Sequence, residues 1–167
     1  MNHKIELLAE QLASCGDQTL KVAARVPDAN RFLQLRPGKA HPLWLVGHLA
    51  NTINVVIIQW ALNGENMVPK GFGKKFAPDF AGGDPISPNA EDYPAWDAVI
   101  AIYAEAIQKA LEKLKQAADA DLPKPLPGRI PEPLRDHFGN VGQTLNIMVS
   151  HDSYHRGQLG MLGALRD

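Results

Sequence analysis

Cysteine is almost absent from this sequence. Cys15 stands alone, so no intramolecular disulfide can form and no cysteine cluster can bind zinc. A disulfide-stapled secreted scaffold is thereby excluded, and a reducing cytoplasm is the expected compartment. An excess of one charge is also missing. Lys plus Arg total 17 against 18 for Asp plus Glu, a formal net charge of −1. That balance gives no electrostatic footing on nucleic acid or an anionic membrane. Residues 1–6 carry neither the basic segment nor the apolar run of a signal peptide, which agrees with a cytoplasmic expectation. The longest apolar stretch, 43–62, is about long enough to span a bilayer. It is interrupted by His48, Asn51, Thr52, Asn54 and Gln59, so it reads as a buried helix rather than a membrane span. Strand-like alternation is lacking too, beyond a few residues at a time.

What is present is the helical period, in a chain of 167 residues that is 45% hydrophobic, enough for one domain over 1–167. A first helix is expected over 4–24, with Ile5, Leu8, Leu12, Cys15 and Val22 on one stripe and Pro27 ending it. A second begins at Pro42 and stops near Asn63-Gly64. A third runs from about 92 to 118, carrying Trp96, Val99, Tyr103, Ile107 and Leu114, and a fourth runs over 140–165. The fold class is therefore all-α, a four-helix bundle. The connections are long. Pro69, Pro78, Pro85 and Pro88 punctuate the segment 65–92, and five prolines from Pro123 to Pro133 make the later connection non-helical by expectation. A connection of that length suits a crossover between helices two and three, which must return roughly 33 Å along a neighbouring helix.

Chemistry concentrates in the histidines. His151 and His155 lie one turn apart on helix four, so their imidazoles share a face. That spacing lets one rigid helix offer two nitrogens to one metal ion. Taken alone, the pair is a weak signal. His48 sits mid-helix between Leu43-Trp44-Leu45-Val46-Gly47 and Leu49-Ala50, where an unpaired buried imidazole is costly. It is either a core histidine bonded to a carbonyl or a third ligand facing the pair on helix four.

The segment Gly47-His48-Leu49-Ala50, followed by His151, His155, Arg156, Gly157, Gln158 and Leu159, resembles the DinB/YfiT-like superfamily. The resemblance covers nearly the whole chain. It implies a bundle with crossover topology, one divalent metal ion held by His48, His151 and His155, and frequent homodimers. It further implies a small thiol or other small molecule as substrate, since thiol-dependent transfer and isomerisation occur in the wider group. Zinc, nickel and iron all accept imidazole ligands.

Other residues carry two readings each. Trp44 and His41 precede His48 on its face and either line a pocket or serve as core and surface. Asn51 and Thr52, one turn beyond, either orient a ligand or satisfy nearby carbonyls. Gln158 returns to the metal face two turns after His151, where it can bind a ligand or bridge helices. Asp152 is rotated by about 100° and is expected to be solvated or paired with Arg156. Tyr154 is expected to pack, Cys15 to fill the core, and His137 and His3 to lie on the surface.

Overall fold

A computed structural model describes residues 3–165, apart from the side chain of Pro133. Helix α1 spans His3–Ala23 and α2 spans Pro42–Thr52. Without a break, α2 continues through Ile53–Ala61 as a wider helix. That segment is rich in β-branched residues, whose side chains crowd the tighter i, i+4 turn. A short α3, Phe72–Phe76, lies in the connection to α4, Trp96–Leu114. Then come α5, Glu132–Phe138, and α6, Val141–Ala164. No β-strand occurs among the described residues, only an isolated bridge between Pro125 and Asn140.

Helix α5 corrects the expectation that the later connection is non-helical. Prolines punctuate 123–133, yet α5 starts at Glu132 with a proline in its first turn, where the missing N–H costs nothing. Helix α4 is shorter than its pattern at both ends. Helix α6 begins one residue after Asn140, which accepts from the Gln143 N–H at 2.9 Å while the Gln143 side chain accepts from the Asn140 N–H at 3.0 Å.

Four long helices pack around one core, with α1 against α4 and α6, and α2 against the same two. Contacts at their ends give the directions. The Ile5 N–H at the start of α1 donates to Asp119 just beyond α4, at 2.9 Å. Thr19 meets Asp152, and Asn30 beyond α1 meets the Leu162 carbonyl, so α1 and α6 run the same way. Arg31, whose carbonyl takes the Leu43 N–H, covers Trp96 at the start of α4, while Gly64 beyond α2 lies beside Lys113 near the end of α4. Helices α2 and α4 therefore also run together, and segment 62–95 carries the chain back along the bundle. Pro42–Ala61 is long and apolar enough to cross a membrane by length and composition, but 83% of that window is buried inside the bundle.

Candidate metal centre

The site is built from one turn of α2 and one of α6. On α2 the Trp44 indole lies flat against the His48 imidazole, with centroids 4.7 Å apart and planes 7° from parallel. The indole N–H donates to the Lys75 carbonyl at 3.0 Å, so the ring is fixed from both ends. His48 donates its Nδ1–H to the Phe76 carbonyl at 2.9 Å. Phe76 reaches that position only because residue 47 is glycine: a Cβ on Gly47 would stand 2.3 Å from the Phe76 ring. Gly47 thus admits α3, and α3 supplies the carbonyl that sets the tautomer and angle of His48.

On α6, His151 and His155 face His48 with centroid separations of 5.1 and 4.9 Å. The Nε2 atoms of His48 and His151 are 3.2 Å apart. All three histidines have ligand atoms within 4.8 Å of one another. His155 donates its Nδ1–H to Gln158 Oε1 at 2.7 Å, and the Gln158 amide donates onward to the Tyr154 hydroxyl at 3.1 Å. The Nδ1 of His151 is buried with no hydrogen-bond partner among the described residues. Burial holds His48 down to about 4 and His151 down to about 3, the neighbouring histidines adding repulsion to each. His155 is lowered as well, again by burial first, against the opposing pull of Gln158 and Asp152. All three rings are therefore neutral at pH 7, the protonation state a metal ligand requires.

These residues fit a divalent cation. A bond between two imidazoles accounts for the His48–His151 contact, but it leaves unexplained a third imidazole, His155, whose Nδ1 already donates and which has a ligand atom within 4.8 Å of the other two. Three converging nitrogen donors with second-ring atoms tied to a carbonyl and an amide are the pattern of a ligated imidazole set. A histidine triad without a fourth protein ligand can hold a metal.

The remaining sequence candidates separate clearly. Trp44 and Asn51 line the cavity beside the triad. Gln158 sits behind His155, as its orienting partner. Thr52 bonds back to the carbonyls of His48 and Leu49, both at 3.0 Å, the carbonyl-satisfying alternative. His41 is neither pocket nor surface. It is fully buried as the cap of α2, accepting from the Trp44 N–H at 3.1 Å and donating to the Ser87 carbonyl at 3.2 Å. Asp152 is not solvated but 2% exposed. It accepts from Thr19 at 2.7 Å and Tyr103 at 2.6 Å, with Arg156 at 3.6 Å. Cys15 is buried between α1 and α6 beside the Val149 carbonyl. Tyr154 is exposed, and His137, although exposed, lies at the edge of the cavity.

That cavity has a volume of about 460 Å³ and lies between α2, α5, α6 and the turn Asp79–Ala81. Beyond the triad its walls include Val55, Trp60, Phe80, Leu134, Phe138 and Met148. Sequence patterning missed the Phe76 carbonyl, which has no side-chain signature, and the wall from α5, a helix hidden among prolines.

A protein-family model described as the DinB superfamily matches residues 11–159, a span that holds all three histidines. No curated protein matches the chain.

Proposed function

The chain belongs to the DinB superfamily, and on that premise we propose that it is a metal-dependent enzyme, a thiol-dependent transferase or a hydrolase, acting on a small molecule. The carrying observation is the 3.2 Å approach of His48 Nε2 to His151 Nε2, with His48 Nδ1 committed to the Phe76 carbonyl. In this reading His48, His151 and His155 hold one divalent ion, zinc, nickel or iron. Such an ion, when bound, polarises an electrophile and lowers the pKa of a water or thiol beside it.

The protein's own residues do the rest. Trp44 stacks on His48 and keeps water from that side of the ring. Phe80 and Leu134 flank the cavity and hold a substrate against the triad. Catalysis is favoured over a purely structural metal because His41 and Gln158, the candidates for a closing fourth ligand, are engaged in other hydrogen bonds. A twofold homodimer, the commonest closed symmetry, is part of the proposal.

The test is the visible spectrum of cobalt-loaded protein during titration with a panel of small thiols. The spectrum is expected to shift, and to shift equally in Cys15→Ser, because the thiol comes from outside. A spectrum unchanged by every thiol rejects thiol transfer in favour of hydrolysis. A fourth protein ligand found on the bound metal would replace catalysis with a structural role.

A further inference from the structure

The walls of the cavity are chemically one-sided. Among the described residues no Asp, Glu, Lys or Arg lines it, and its polar residues apart from histidine are Asn51 and Thr52. Thr52 is already bonded to its own helix. Asn51 is different. It is 6% exposed, and its Oδ1 has no hydrogen-bond partner among the described residues. The carboxamide lies one turn beyond His48 and faces Gly73, where a Cβ would come within 3.1 Å of the oxygen. A neighbouring hollow of about 560 Å³ shares Asn51, Val55, Trp60, Phe80 and Leu134 with the first. The cation beside that hollow, Lys74, pairs with Asp84 at 3.1 Å.

Two costs follow from these facts. An orphaned buried amide oxygen forfeits a bond that rotation of the carboxamide toward a ligand in the cavity can restore. A ligand charge placed away from the triad would be desolvated against apolar walls with no counter-charge. The space is roughly fifteen water volumes at about 30 Å³ each, enough for a molecule of one or two rings.

We infer that the cavity takes a small uncharged molecule with an apolar, ring-sized body, whose hydrogen-bonding group is met by the carboxamide of Asn51. The inference deepens the proposed function and rests on this cavity being the substrate site, but its test does not require the metal. Among thiols, it selects an apolar one over a carboxylate-bearing peptide such as glutathione.

Trp44 and Trp60 line the cavity, so ligand binding is read by tryptophan fluorescence. The probes are toluene, benzamide and benzoate, with benzoate compared in chelator-treated protein, where no cation can attract it. Benzamide is expected to bind at least tenfold more tightly than benzoate. Asn51→Leu is expected to weaken benzamide tenfold or more while leaving toluene within twofold. Equal or tighter binding of benzoate overturns the inference, as does a parallel change of benzamide and toluene in the variant. Should Asn51→Leu fail to fold, the benzamide-to-benzoate ratio of the unmodified protein decides alone. Protein isolated without metal would refute the three-histidine reading yet leave that ratio standing. Parity of the two probes in a metal-loading protein would refute the ligand class alone.

Discussion

Neutral imidazoles in a buried setting make this protein sensitive to acid, and His41 shows the sign most simply. Burial lowers its pKa from 6.5 to about 4 in the folded chain. Below about pH 6.5 the unfolded chain therefore binds a proton that the folded chain refuses. The stability that His41 contributes is complete above that pH and drains as pH falls toward 4, amounting to about 2 kcal/mol at pH 5. Urea unfolding at pH 7 and pH 5 should show that loss, reduced in His41→Asn, which keeps a capping oxygen and removes the titration. An equal loss in both proteins would assign the acid sensitivity elsewhere. Asp152 offers a second residue-level check. Its carboxylate joins Thr19 of α1 to Tyr103 of α4, and burial together with that carboxylate pushes the Tyr103 phenol well above its ordinary range. Tyr103→Phe should cost about 1.5–3 kcal/mol in denaturant unfolding, the worth of a buried bond to a charged group. A change under about 0.5 kcal/mol, the level of an ordinary surface substitution, would mean that the bond contributes nothing. Sequence reading found the Arg156 partner of Asp152 but missed Thr19 and Tyr103, and it missed the burial of His41, for one reason. Helical projection gives a side chain's direction but not what surrounds it, and here Phe32 and Tyr93 from the connections cover His41 while α1 and α4 enclose Asp152.

At the level of elements, α3 governs the histidine cluster although it holds none of the three histidines. Its Phe76 packs on Gly47 and its carbonyl holds His48. Gly47→Ala should push Phe76 off α2, destabilising the fold by about 1–3 kcal/mol and weakening metal affinity about tenfold or more through the displaced carbonyl. Calorimetric metal titration of the variant measures this, and unchanged affinity would show that His48 needs no such support. Helices α1 and α4 were legible because their apolar stripes repeat over many turns, while Pro42 and Asn140 mark the starts of α2 and α6. The widened part of α2 was not. Ile53, Val55, Val56, Ile57, Ile58, Trp60 and Ala61 are apolar on nearly every face, so no stripe distinguishes a wide turn from an ordinary one. Helices α3 and α5 were hidden because each is short and flanked by glycine or proline, and tertiary packing rather than propensity holds them.

Across the whole molecule, the crossover through 62–95 brings α2 beside α6 in opposite directions, and this sets His48 against His151 and His155. The histidine cluster was legible because a histidine in an apolar helix and a pair one turn apart are conspicuous residue by residue. The cavity was not, since its walls come from four separate segments whose meeting no local pattern records. Light scattering at micromolar concentration is expected to give twice the 18.2 kDa chain mass. A strict monomer would remove the homodimer from the proposal. The central claim, that the three histidines act as one metal site, is tested most directly by metal analysis of protein purified without an affinity tag. About one divalent ion per chain is expected in the unmodified protein and in His137→Ala, with occupancy sharply reduced in His151→Ala. Equal metal content in His151→Ala and His137→Ala would contradict it.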